Sequence, residues 1–131
     1  MIVLDASAAL ELLLNTPAAT RIARRVFSPR ESLHAPHLID LEVAQALRRW
    51  ERKNEIAPAR ADEALEDLAD LPLTRYPHQV LLPRIWALRA NATAYDAAYL
   101  ALAEALGAAL VTCDAALASM PGHEARVEVI G

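Results

Sequence analysis

Short apolar runs alternate with longer segments of helical spacing along the whole chain. Ile2-Val3-Leu4 is an unbroken apolar triplet ending at Asp5, the pattern of a buried strand. Ser7 can cap a helix over residues 8–14, which Asn15-Thr16-Pro17 breaks. Residues 18–27 resume a helix, with Ile22, Val26 and Phe27 inward and Arg21, Arg24 and Arg25 outward. Residues 32–35 read as a second strand, stopped by Pro36. Leu38, Leu41, Ala44/Gln45 and Leu47 then recur at helical spacing up to about Lys53. Pro58 suits the first turn of a helix through Asp70, with Ala61, Leu65 and Leu68 as its inner face. Leu73-Thr74 marks a third strand, and residues 77–89 are helical around Pro83. Residues 93–106 form a strong helix closed by Gly107, followed by a strand over residues 109–112. A short helix after Asp114 and a strand over residues 126–129 complete the pattern.

Strands alternating with helices predict an α/β fold: a small central parallel sheet of four or five short strands, flanked by helices in three layers. The 131 residues fit a single domain, and a 55% hydrophobic content excludes a disordered chain. No apolar run approaches a membrane span, and no basic segment precedes the opening apolar run, so a cytoplasmic protein without a leader is expected. A lone cysteine, Cys113, excludes an internal disulfide and a cysteine-based zinc site. Gly107, Gly122 and Gly131 are too sparse for a phosphate-cradling loop. His34, His37, His78 and His123 lack zinc-site spacing, and Ser7 has no assignable base.

Four acids stand out. In parallel α/β sheets, working groups collect beyond the carboxyl ends of the strands. Asp5 follows the first strand directly, and Asp114 follows the strand at 109–112 after one residue. Glu42 and Asp96 interrupt otherwise apolar helices, where a charge is costly unless it is paired or bound to a cation. Each also has a structural role open to it. Asp5 and Asp114 can cap the following helices, and Asp96 stands three residues after Thr93 at capping-box spacing. Glu42 can pair with Arg49 or face solvent, and Asp40 beside it is assigned to solvent.

Ile2-Val3-Leu4-Asp5-Ala6-Ser7, the mid-helix Glu42, residues 93–103 (Thr-Ala-Tyr-Asp-Ala-Ala-Tyr-Leu-Ala-Leu-Ala) and Leu110-Val111-Thr112-Cys113-Asp114 resemble the PIN-domain nucleases. More narrowly, they resemble VapC-type toxins of bacterial toxin–antitoxin pairs. The resemblance spans nearly the whole chain and implies a single PIN domain over residues 1–131. It implies that Asp5, Glu42, Asp96 and Asp114 converge on Mg²⁺ or Mn²⁺ as the catalytic and metal-holding residues, with Ser7 and Thr112 adding hydroxyl contacts. A further acid found in some PIN domains is replaced here by Ala115, Ala116 and Leu117. The activity implied is an endoribonuclease leaving a 5′-phosphate and a 3′-hydroxyl, silenced by a VapB-type antitoxin that lays an amphipathic segment in a groove. A homodimer is implied as well. A housekeeping RNA-processing PIN nuclease and a PIN-like binding module with little turnover are the alternatives. A phosphatase with Asp-x-Asp is set aside because position 7 is Ser.

Hard oxygen ligands suit Mg²⁺ and Mn²⁺, and such ions activate water and stabilise charge on a phosphodiester. Without metal, clustered carboxylates repel: at ~5 Å and an effective dielectric of ~20, a like-charged pair costs roughly 3 kcal/mol. The net charge of −4 argues against binding nucleic acid by bulk positive charge. With four of the seventeen acids committed to the cluster, however, the remaining thirteen balance the thirteen basic residues. Arg21, Arg24, Arg25, Arg48, Arg49 and Arg52, with Lys53, are candidate RNA contacts. Solvated faces with intrahelical pairs such as Arg48–Glu51 and Arg52–Glu55 are the equal alternative. Trp50 and Trp86 are base-stacking candidates that equally suit core or interface anchors. Leu12, Leu13, Leu81 and Leu82 suit either a dimer face or the core.

Overall fold

The protein is described over residues 1–131 by a computed structural model. Five strands, β1 (Ile2–Leu4), β2 (Leu33–Pro36), β3 (Leu73–Tyr76), β4 (Ala109–Thr112) and β5 (Arg126–Val129), form one sheet in the order β3-β2-β1-β4-β5. Every neighbouring pair is parallel. Seven α-helices connect them: α1 (Ala6–Leu13), α2 (Ala19–Val26), α3 (Leu38–Arg52), α4 (Pro58–Asp70), α5 (Leu82–Ala87), α6 (Ala94–Leu106) and α7 (Ala115–Ser119).

The chain steps from β1 through β2 to β3 in one direction, then returns to place β4 and β5 on the other side of β1. Right-handed crossovers taken in opposite directions put their helices on opposite faces. Accordingly α1 packs with α2, α3 and α4, while α6 lies across β1, β2 and β4 with α5 against it. This is the expected three-layer α/β arrangement. The strand order reverses between β1 and β4, and such a switch point opens a crevice at the carboxyl ends of the two strands. Register pairs Leu4 with Val111, so Asp5 and Thr112 emerge level with each other into that crevice.

Burial on both faces explains the unbroken apolar character of the central strands: Ile2, Val3, Leu4, Leu110 and Val111 are completely enclosed. The edge strands β3 and β5 are only partly covered. His34 in β2 is buried with both ring nitrogens satisfied, by Ser32 Oγ at 2.7 Å and Tyr76 Oη at 2.6 Å. Burial, with help from the terminal ammonium, pushes its pKa down.

Several local expectations are corrected. Asp5, not Ser7, caps α1, because its backbone is extended and its carboxylate accepts the Ala8 N–H; the helix therefore begins at Ala6. α3 is rotated from the expected phase. It buries Ile39, Val43, Ala46 and Leu47 and leaves Leu41 75% exposed, since the stripe headed by Ile39 and Val43 meets the core. α4 approaches through Ala61, Ala64 and Leu68, leaving Leu65 largely outside. Phe27 ends α2 rather than packing inward and is exposed. The segment 77–89 divides into a 3₁₀ turn at Gln79–Leu81 and α5, whose first turn accepts Pro83. Asp40 is not left to solvent: Arg75 on β3 grips it through two hydrogen bonds of 2.8 Å. Of the four leucines offered for a dimer face, Leu13 and Leu81 are buried, Leu12 is partly buried, and only Leu82 is exposed.

Candidate functional site

Asp5 is the buried anchor of the crevice. Its Oδ1 accepts from Ser7 Oγ at 2.7 Å and from the Ala8 N–H at 3.0 Å, and its Oδ2 accepts from Thr112 Oγ1 at 2.5 Å. Ser7 Oγ in turn accepts the Cys113 N–H at 3.0 Å, and Thr112 Oγ1 accepts the Asp114 N–H at 2.9 Å. These bonds tie the end of β1 to the end of β4 and fix where Asp114 leaves the sheet. Ser7 and Thr112 thus act on the carboxylates as positioning residues. Asp114 itself is exposed and accepts the Ala116 N–H at the start of α7, so both end-of-strand acids also serve as caps.

Asp96 stands in the first turn of α6, where its N–H is capped by Thr93 Oγ1 at 3.1 Å. Gly107, at φ 62°, closes the far end of that helix in the left-handed region. Glu42 projects from α3 toward α6, where the hydroxyl of buried Tyr99 donates to its Oε1 at 2.7 Å. It does not pair with Arg49. Tyr99 is the functional residue that sequence reasoning missed. Its signal was available, since a tyrosine three residues after Asp96 on a buried helix face needs a partner for its hydroxyl.

The four acids sense one another. Burial pushes the Asp5 carboxyl above the usual range; its three hydrogen bonds pull the other way, and Asp114 adds repulsion. Burial also raises Glu42, against the Tyr99 bond, with further repulsion from Asp96 and Asp5. Asp96 is raised by burial and then by Asp114. The same burial, with the adjacent Glu42 carboxylate, pushes the Tyr99 phenol far up, so it remains a donor.

None of the four has a cationic partner. By contrast Glu31, Asp40, Glu104 and Glu128 are each matched with an arginine. Glu42 Oε2 and Asp114 Oδ2 accept no protein hydrogen bond. No three acids stand close enough together to grip one ion by themselves. Mg²⁺ takes only one or two carboxylates and keeps several waters, so an all-oxygen set of unmatched carboxylates fits it.

The candidate RNA-contacting arginines separate into two groups. Arg25 is committed elsewhere: it bonds Glu128 through Nε and Nη2 at 2.7 and 3.0 Å, and Glu31 through Nη1 at 3.0 Å. Arg21 donates to the Gly131 carbonyl. Arg24 lines a hollow with Leu12, Ala23 and Phe27, apart from the acids. Arg48, Arg49, Arg52 and Lys53 on α3 and its end are exposed and form no ion pair, so the intrahelical pairs with Glu51 and Glu55 do not form. Arg49 alone lines the same hollow as Ser7 and Glu42. Trp50 is partly buried against the core, whereas Trp86 is exposed with the Arg89 guanidinium 4.5 Å over its ring.

The PIN domain family matches residues 2–122. The chain belongs to that family, in its VapC branch. It is 45% identical over 130 residues to Ribonuclease VapC9 of Mycobacterium tuberculosis, covering 99% of this chain and 98% of that protein. It is 42% identical to Ribonuclease VapC12 of the same organism, covering 99% of each. Among solved structures, VapBC2 from Rickettsia felis, bound to a DNA fragment from its promoter, superposes with a TM-score of 0.73 over all of both chains at 12% identity. The PIN fold therefore holds while most side chains differ. In this PIN domain Asp5 and Asp114 leave the sheet at the switch point, and Asp114 bears electrostatically on both Asp5 and Asp96.

Proposed function

We propose that the protein is a metal-dependent endoribonuclease toxin, with Asp5, Glu42, Asp96 and Asp114 holding Mg²⁺ or Mn²⁺. The observation that carries this reading is the electrostatically linked set of four acids without a single basic partner at the switch point of a PIN fold. Kinship to proteins named as VapC ribonucleases supports RNA as the substrate. Bound metal supplies a water that is nucleophilic near neutral pH and offsets charge developing on the phosphate oxygens. The chain's own groups hold and orient. Ser7 and Thr112 fix the Asp5 carboxylate, Tyr99 aims Glu42, and Thr93 sets the turn that carries Asp96. Hydrolysis adds water across the phosphodiester and releases a 5′-phosphate and a 3′-hydroxyl.

A VapB-type antitoxin completes the reading, as expected for a VapC protein. An open hollow of about 420 Å³, lined by Leu10, Leu14, Trp50 and Ile56 and by Glu11, Thr16, Glu55 and Arg60, offers its amphipathic segment both apolar and charged contacts. We place the pair in the cytoplasm; no helix is long and apolar enough to cross a membrane. Exposed Val80, Leu82 and Trp86 around α5 support a homodimer, which sedimentation of the purified chain tests.

The test of the activity is cleavage of labelled total bacterial RNA by wild type and Asp96→Asn, purified identically, with Mg²⁺, Mn²⁺ or EDTA. Discrete metal-dependent fragments with 5′-phosphates are expected from the wild type alone. Equal cleavage by both proteins would remove Asp96 from the chemistry.

A further inference from the structure

Leu41 and Tyr95 are among the most exposed large apolar side chains, at 75% and 65%. Each stands one residue from an acid of the site, Leu41 beside Glu42 on α3 and Tyr95 beside Asp96 on α6. Both line one open hollow of about 540 Å³ that reaches Ser7 and Glu42 at one side and Arg49 and Gln45 at another. The hollow is therefore continuous with the acid crevice rather than a separate depression. Its volume falls in the range of small-molecule sites. Its lining combines a π-face, a branched aliphatic chain, an exposed amide and an unpaired guanidinium.

We propose that this hollow is a nucleobase seat: an unpaired base next to the scissile phosphate lies against the ring of Tyr95 with Leu41 lining the same slot, while Arg49 takes a neighbouring phosphate. The inference rests on the nuclease reading and deepens it by naming the side chains that take the base beside the cut. Proteins that read unpaired RNA stack splayed bases on aromatic rings, and a duplex cannot present a base in this way. Stacking tolerates any base because every base has a π-face, whereas Gln45 offers both a donor and an acceptor to a base edge. The other hollow, lined by Trp50 and Ile56 along with Glu11, Glu55 and Arg60, does not reach the acid cluster.

The test is binding of an unstructured RNA decamer carrying one 4-thiouridine, in Ca²⁺ to slow turnover, followed by photo-crosslinking and peptide mapping. Wild type, Tyr95→Phe, Tyr95→Ala and Leu41→Ser are compared, with cleavage in Mn²⁺ measured in parallel. Tyr95 is largely exposed, so its variants are expected to melt with the wild type. The expected result is an adduct on Tyr95, a Kd for Tyr95→Ala raised about 5- to 150-fold, and near-wild-type binding by Tyr95→Phe. A base-paired form of the decamer should bind the wild type and Tyr95→Ala equally. Unchanged affinity in Tyr95→Ala, or no RNA binding by the wild type, would overturn the seat. Cleavage reports separately on the nuclease reading: intact cleavage with an indifferent Tyr95 sinks only the seat, and a Tyr95 adduct without cleavage sinks only the nuclease.

Discussion

Replacing Tyr99 by Phe removes one oxygen and isolates what the phenol does for Glu42. The ring is buried and stays filled, so no cavity forms; the loss is the 2.7 Å bond from Tyr99 Oη to Glu42 Oε1. A hydrogen bond to a charged group contributes about 1.5–3 kcal/mol when enclosed. Glu42 is only half-buried, water replaces part of the loss, and about 1 kcal/mol of stability should go. For a chain of this size that lowers Tm by roughly 4 °C. The same bond holds the Glu42 carboxyl down against burial and against Asp96 and Asp5, so its pKa rises further in the variant. Ionised Glu42 then appears at higher pH, and the acidic limb of the cleavage profile should move upward. At a pH on that limb, about 1.4 kcal/mol corresponds to a tenfold loss in kcat/KM, which activity at saturating Mn²⁺ partly recovers. The assay is a pH profile of cleavage for wild type and Tyr99→Phe, with thermal melts alongside. A purely structural tyrosine would lower Tm and leave the limb in place, and that outcome would rule out a part for the phenol in setting the charge of Glu42.

Other expectations follow from the same charges. In the metal-free protein Asp5, Glu42 and Asp96 are raised above their ordinary 3.8, 4.5 and 3.8, so the native state holds protons that the unfolded chain has released. Stability should fall as pH climbs from those values through the folded ones, while Glu31, held low by the terminal ammonium and then Arg25, and Glu104 and Glu128, held low by arginines, lose their contribution as pH drops below 4.5. EDTA-treated protein should therefore melt highest in mildly acidic buffer, and a Tm that climbs steadily to neutral pH would contradict this. Mn²⁺ should raise Tm at neutral pH, by roughly 2.7 kcal/mol of stability at a hundredfold excess over Kd, and the shift should be lost in Asp114→Asn. Arg25→Ala should lower stability by about 1 kcal/mol with RNA affinity unchanged, because its guanidinium is spent on Glu128 and Glu31. Arg49→Ala should do the reverse, weakening RNA binding and reducing its salt slope by about 0.7, as measured by filter binding at graded salt.

What could be read along the chain followed physical locality. The central strands are buried on both faces, and an unbroken apolar triplet such as Ile2-Val3-Leu4 has few other uses. Asp5 and Asp114 were visible because strand ends are where a parallel sheet presents its chemistry, and Glu42 and Asp96 because a charge in an apolar helix asks for a partner. The phase of α3 was not readable. Residues 38, 41, 44 or 45 and 47 and residues 39, 43, 46 and 47 both lie at helical spacing, sharing Leu47, and only the packing of α1, α4 and β2 onto α3 selects the second set. The matches of Arg25 with Glu128, Asp40 with Arg75 and Glu42 with Tyr99 join residues 103, 35 and 57 positions apart. No local pattern encodes such pairs, so the sorting of arginines into structural and free ones had to come from the fold.

The proposed divalent-ion site is shared by Asp5, Glu42, Asp96 and Asp114 and completed by water, because no three of these acids can grip one ion alone. Its most direct test is titration of the metal-free protein with Mn²⁺, followed by electron paramagnetic resonance of the free ion. Asp5→Asn, Glu42→Gln, Asp96→Asn and Asp114→Asn are compared with Asp40→Asn, whose carboxylate is instead gripped by Arg75. The wild type and Asp40→Asn should bind Mn²⁺ alike, and each of the four site variants should bind it more weakly. Absence of wild-type binding at millimolar Mn²⁺, or four site variants indistinguishable from Asp40→Asn, would contradict the claim.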